Sequence, residues 1–178
     1  MERRYKFGRC FFYVGDSRMK TRLSSLIELK LIGIEIRTSN QKESDPSKAK
    51  IPGLWGRFME QEIATKIPNV MRPGTIFAVY RNYESDFRGE YTLTLACQVN
   101  ALNSIPEGMI GFTIPAARYM VFTAEGQIPE SIIKTWGQIL KYFSDSSPYQ
   151  RAYSADFEIY DKRSHTENPE VEIYIAIQ

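Results

Sequence analysis

The run Asp156-Phe157-Glu158-Ile159-Tyr160 sets two carboxylates and a phenol at alternate positions. On an extended strand, Asp156, Glu158 and Tyr160 share one face, and Phe157 and Ile159 take the other. If the first face meets water, the acids are simply solvated. If it meets a groove, Glu158 becomes a partly desolvated anion among aromatic walls. A carboxylate in such a setting is a counter-charge for a cation, and each Tyr or Trp face beside it adds cation–π attraction of about 0.5 to 2 kcal/mol. Flat cationic or amphiphilic compounds fit that chemistry. The candidate walls are Trp55, Phe58, Tyr80, Tyr91, Phe112, Tyr119 and Trp136. Each could equally serve core packing, Trp55 and Trp136 above all, because they recur at helical spacing.

Other site chemistries are missing from the sequence. His165 is the single histidine and sits in a polar stretch, so neither a histidine-centred triad nor a multi-histidine metal site can be built within one chain. Cys10 and Cys97 lack metal-ligand spacing, and the glycine pairs 53/56 and 108/111 lack the third glycine and strand-turn-helix context of a phosphate loop. There is no Gly-x-Ser-x-Gly elbow. No catalytic residue, metal or cofactor is therefore assigned. A helix-turn-helix is not assigned, and the aromatics are not interleaved with Lys/Arg as on an RNA-binding sheet.

The elements that must position these residues follow from hydrophobic periodicity. Residues 26–38 alternate as a half-buried strand, with Gly33 expected at a bulge or bend. Residues 40–50 read as a polar loop, a candidate lid over the site. A helix begins near Pro52 and runs to Ile67, with Leu54, Trp55, Phe58, Met59 and Ile63 on one face, ending at Pro68. Gly53 and Gly56 in its first turns suggest close approach of a backbone or a ligand. Residues 75–83 and 90–99 form a hairpin. The order then repeats: a β-rich stretch over 109–123 bent at Pro115, a helix from Ile128-Pro129 carrying Ile132, Ile133, Trp136, Ile139, Leu140 and Phe143, and a closing hairpin of 152–162 with 170–178. This is an α+β fold made of a duplicated βαββ: two antiparallel sheets, each with one long helix, and a ligand groove between the halves.

A chain of 178 residues, 43% hydrophobic and 25% charged, suits one globular core. Residues 1–22 hold seven of the 23 Lys/Arg against two acids, which leaves the remainder with 16 basic and 19 acidic residues. That body has the wrong sign for gripping duplex DNA through its phosphates. No apolar run approaches the roughly 20 residues of a bilayer span, and nothing reads as a secretory signal. A cytoplasmic protein with no membrane partner is expected.

The runs Leu31-Ile-Gly-Ile-Glu-Ile-Arg-Thr38, Ile51-Pro-Gly-Leu-Trp-Gly-Arg-Phe58, Ile114-Pro-Ala-Ala-Arg-Tyr-Met-Val-Phe122 and Asp156-Phe-Glu-Ile-Tyr160 resemble the gyrase-inhibitor-like effector-binding superfamily. It includes drug-sensing domains of AraC-type and MerR-type regulators. The resemblance spans residues 26–178, read as the effector-binding domain, and leaves 1–25 as a basic N-terminal extension. It implies the duplicated βαββ and a pocket whose acid, in the next-to-last strand, pairs with cationic ligands. That position is Glu158, with Trp55 and Tyr91 at positions that line the pocket and Tyr160 as a further aromatic contact. The function so implied is binding of cationic, hydrophobic or amphiphilic aromatic small molecules. Full-length regulators carry a DNA-binding module before this domain, so direct duplex binding is not expected here, and a link to transcription regulation would run through a protein partner. Two alternatives stand beside it: hydrolysis of strained cyclopropane-containing genotoxins, with Glu158 activating water, and a protein-binding module like the gyrase inhibitors.

Overall fold

The computed structural model describes residues 19–145 and 147–178. Its elements in chain order are β1 (Thr21–Leu26), β2 (Leu29–Ser39), α1 (Asn40–Glu43), α2 (Ile51–Glu60), α3 (Ile63–Lys66), β3 (Ile76–Arg81), β4 (Glu90–Val99), β5 (Ile110–Ile114), β6 (Ala117–Glu125), α4 (Glu130–Asp145), β7 (Ala155–Tyr160) and β8 (Glu170–Ile177). A 3-10 turn, Lys162–His165, precedes β8.

The strands form one antiparallel sheet in the order β1-β6-β8-β7-β3-β4-β2-β5, not the two separate sheets expected. The halves fuse where β3 pairs β7, Ile76 opposite Tyr160 through Arg81 opposite Ala155. Both strands are buried on both faces, with Phe77, Ala78 and Val79 in one and Asp156, Phe157, Glu158 and Ile159 in the other. A strand of that kind makes a poor open edge, and pairing the two removes both edges. About the seam the order is symmetric: β7-β8-β6 on one side, β3-β4-β2 on the other.

The two ends of this sheet are tied together. Only Ile27 and Glu28 connect β1, at one end, to β2, beside the other end. At no more than about 3.6 Å per residue, so short a link brings the ends within roughly 10 Å. Pro115 and Ala116 likewise split the single bent strand expected over 109–123 into β5, at one end, and β6, beside the other end. The sheet therefore curls. Its inner face packs Leu31, Phe77, Val79, Tyr119, Val121 and Phe157 into one cluster drawn from both ends. The outer face is covered by helices: Leu54 and Phe58 of α2 over Leu93 and Leu95, and Ile132 and Ile139 of α4 over Phe122 and Ile173. Ala78 and Glu158, paired on the seam, lie between the two helical covers.

Several local expectations change. Residues 21–25, read as extension, belong to β1, which pairs with β6 from Thr21–Phe122 to Leu26–Ala117. Its mixed polar sequence concealed an edge strand half open to solvent. The rest of the basic extension, residues 1–18, lies outside the described residues. The helix expected to run to Ile67 breaks at Gln61 and Glu62, where Glu62 takes a left-handed φ of 48°. The candidate lid 40–50 is tied down: Ser39 caps α1, and the Glu43 carboxylate accepts the N–H groups of Lys50 (3.0 and 3.2 Å) and Ile51 (3.1 Å) at the start of α2. Gly33 sits in regular pairing rather than at a bulge, and a Cβ there would fall 1.9 Å from the Leu95 carbonyl oxygen. Gly53 has nothing within 4 Å of where its Cβ would be, so the close approach inferred for it does not occur within the described chain.

Candidate functional site

Alternation along β7 turns Phe157 and Ile159 inward and Asp156, Glu158 and Tyr160 toward the helices, as read from the sequence. The helix-side face is not open to water. Glu158 is 2% exposed and Asp156 is fully buried.

Glu158 is held by three donors from three elements. Its Oε1 accepts from Trp136 Nε1 of α4 at 2.6 Å and from the Tyr80 hydroxyl of β3 at 2.8 Å, and its Oε2 accepts from the Tyr160 hydroxyl at 2.7 Å. Burial pushes the Glu158 carboxyl above the ordinary range, and the three hydrogen bonds pull the other way. Burial and the adjacent carboxylate raise both phenols, so they remain protonated donors. The aromatic rings repeat across the seam: Trp55 meets Tyr160 edge-on at 4.9 Å, and Trp136 meets Tyr80 edge-on at 5.0 Å. Each pair joins a helix of one half to a seam strand of the other. Tyr91 closes one side, 5.4 Å from Tyr80 and 5.9 Å from Tyr83.

Asp156 has a separate arrangement. Its Oδ2 accepts from Arg151 Nη2 (2.7 Å) and Nε (3.2 Å) and from the Tyr83 hydroxyl (2.7 Å), and its Oδ1 accepts the Ala176 N–H (2.8 Å). Arg151 also lies 5.5 Å from the Trp136 ring, so the ion pair abuts the Glu158 cluster.

Of the candidate residues, Trp55, Tyr80, Tyr91, Trp136 and Tyr160 gather around Glu158. Phe58 is 1% exposed in the core beneath α2. Phe112 and Tyr119 lie on the opposite, inner side, where Phe112 carries the Arg81 guanidinium at 4.2 Å and Tyr119 meets Phe157 at 5.3 Å. Both line a cavity of about 450 Å³ that Glu158 does not line. Arg151, Tyr83 and Tyr153 were not among the candidates; Tyr83 and Tyr153, read inside the hairpin strands 75–83 and 152–162, lie beyond the end of β3 and before the start of β7, and Arg151 lies in the same connection as Tyr153. Among the described residues no group of three or more His, Cys, Asp or Glu is placed to hold a metal.

The Glu158 carboxylate thus accepts only neutral donors among the described residues, inside paired Trp and Tyr rings. With this site on a curled eight-stranded antiparallel sheet, the class is an effector-binding module of the gyrase-inhibitor-like fold. The chain belongs to the family of integron-associated effector-binding proteins, whose model matches residues 22–177. It is 29% identical over 151 residues to the putative transcriptional regulator protein YobU of Bacillus subtilis, covering 84% of this chain and 92% of that one. It is 33% identical over 129 residues to the transcriptional regulator BrlR of Pseudomonas aeruginosa, covering 70% of this chain and 45% of that longer one. Among solved structures, an integron cassette protein from the mobile metagenome of Vibrio cholerae matches with a TM-score of 0.73 at 29% identity, over 89% of this chain and 95% of that chain. The fold is shared with SAV2435, solved bound to tetraphenylphosphonium, at a TM-score of 0.72 and 21% identity over 90% of this chain and 94% of that chain. The family is an effector-binding, regulator-like one rather than a known enzyme class. No described helix is long and apolar enough to cross a membrane.

Proposed function

We propose that this protein binds cationic, hydrophobic or amphiphilic aromatic compounds between its two helical covers, with Glu158 as counter-charge and Trp55, Tyr80, Tyr91, Trp136 and Tyr160 as the aromatic surround. The observation that carries this reading is the Glu158 carboxylate, 2% exposed, without a cationic partner in its hydrogen bonds. Fixed dipoles from two phenols and an indole compensate a buried anion only partly, and a ligand cation supplies the missing charge. The tetraphenylphosphonium bound to SAV2435 supports the same chemistry here. Relatives that are transcriptional regulators support a role in transcription regulation.

Trp55 and Trp136 make the test direct. Tetraphenylphosphonium should quench tryptophan fluorescence saturably, and the isosteric anion tetraphenylborate should not. Equal quenching by both ions, or none by the phosphonium, overturns the reading.

A further inference from the structure

Arg151 stands beside the Glu158 cluster with one hydrogen-bonding group unused. Its side chain is 4% exposed. The Nε and Nη2 edge grips Asp156, and Nη2 also donates to the Tyr83 hydroxyl at 3.2 Å. Nη1 is buried and meets no acceptor among the described residues. Because the Asp156 carboxylate takes the opposite edge of the planar fork, Nη1 turns away from it, inside a shell formed by Trp136, Tyr83 and Tyr153. Tyr153 lies closest, 4.5 Å from the guanidinium carbon, and holds that place with a left-handed φ of 51°, costly for an aromatic residue. Trp136 links the two features: its Nε1 donates to Glu158, and its ring faces Arg151.

A buried charged donor without an acceptor is expensive, and a ligand that supplies one recovers that cost on binding. The acceptor's charge follows from the neighbours. Asp156 already neutralises Arg151, and Glu158 adds a further negative charge nearby, so a ligand carboxylate would meet repulsion that a neutral carbonyl would not. We infer that the site reads two features at once: a positive centre at Glu158 and, on the other side of Trp136, a neutral carbonyl oxygen received by Arg151 Nη1. Its ligands are then cationic aromatic compounds bearing an ester, amide or ketone. This inference rests on the proposed cation site and adds to it.

Three phosphonium ions test it: tetraphenylphosphonium, its 4-acetylphenyl analogue and its 4-carboxyphenyl analogue, titrated into wild type, Arg151→Lys and Glu158→Gln. A hydrogen bond to a charged donor should make the acetyl compound bind wild type about ten-fold more tightly than the parent ion. The carboxyl compound should gain less, and in Arg151→Lys, which keeps a cation for Asp156 but lacks the fork, the acetyl preference should fall toward one. Equal affinities for the acetyl and parent ions in wild type overturn the inference, as does an undiminished preference in Arg151→Lys. A carboxyl compound that binds best overturns the assignment of a neutral acceptor. If Arg151→Lys does not fold, the guanidinium proton resonances of arginine-labelled wild type decide, since Nη1 must shift with the acetyl compound and not with the parent ion. The two proposals fail differently. No binding of tetraphenylphosphonium, or equal binding by Glu158→Gln, removes the cation site itself, whereas binding that depends on Glu158 but ignores the acetyl group removes only the role of Arg151.

Discussion

Replacing Glu158 by Gln removes one charge from the centre of the site while keeping its shape. The amide oxygen can still accept from Trp136 Nε1 or a phenol, and a tyrosine hydroxyl can accept from the new amide N–H, so the cluster stays hydrogen-bonded. What is lost is the attraction for a ligand cation. At about 4 Å and an effective dielectric constant near 20 that attraction is about 4 kcal/mol before desolvation is subtracted. The net loss should be about 2 to 3 kcal/mol, the lower part of the range for truncating a desolvated charge pair. That corresponds to a Kd for tetraphenylphosphonium about 30- to 150-fold weaker. Triphenylphosphine oxide, an uncharged aromatic of similar bulk, should change affinity by less than about three-fold, since apolar contacts are preserved. Tryptophan quenching gives both constants, and a cooperative thermal melt establishes that the variant is folded. A folded variant that binds the phosphonium within three-fold of wild type would falsify the assignment of Glu158 as anchor.

Further outcomes follow from the same geometry. Because burial raises the folded-state pKa of Glu158, cation affinity should increase as pH rises through that value and then level off; Tyr160→Phe, by removing one of three donors, should move the midpoint to higher pH. The stability sign is opposite to that of a salt-bridged acid: the contribution of Glu158 is full below the unfolded value near 4.3 and declines as pH rises through the raised folded value, a decline that Glu158→Gln should abolish in urea titrations at several pH values. Asp156→Asn leaves the Arg151 guanidinium buried without its counter-ion and should cost about 3 to 5 kcal/mol in chemical denaturation; a loss under 1 kcal/mol would show that the pair is not desolvated. Gly33→Ala should destabilise by about 3 kcal/mol or more, because its methyl group would overlap the Leu95 carbonyl, whereas Gly53→Ala should be neutral or stabilising by up to about 1 kcal/mol, a contrast visible in paired melting curves.

Much of the architecture was legible because it is carried by local periodicity. Alternation identified β2, β4, β7 and β8 and the face of β7 that carries Glu158, and three-to-four spacing identified α2 and α4. Pairing between distant segments was not legible. Nothing local in Ile76–Arg81 or Ala155–Tyr160 states that these strands choose each other, and the choice turned two expected sheets into one. Thr21–Leu26 was concealed by a mixed polar sequence that an edge strand tolerates on its open side. Glu43, read as part of a polar loop, acts as a cap only because the chain returns to place the start of α2 against it.

For the site, residue type and alternation by themselves put two acids, Asp156 and Glu158, on one face of a strand and named the aromatics that were eligible; the choice of Glu158 came from the resemblance to a known family. Only tertiary structure decided among the eligible ones. An aromatic side chain on a curled sheet can enter either of two dry interiors, and a sequence does not record which. Trp55, Tyr80, Tyr91, Trp136 and Tyr160 fall on the helix side with Glu158, while Phe112 and Tyr119 fall on the inner side with Phe157. Arg151 and Tyr153 join the cluster from the connection that precedes β7. They are held there because a buried carboxylate, Asp156, draws the guanidinium inward once the strands have closed around it.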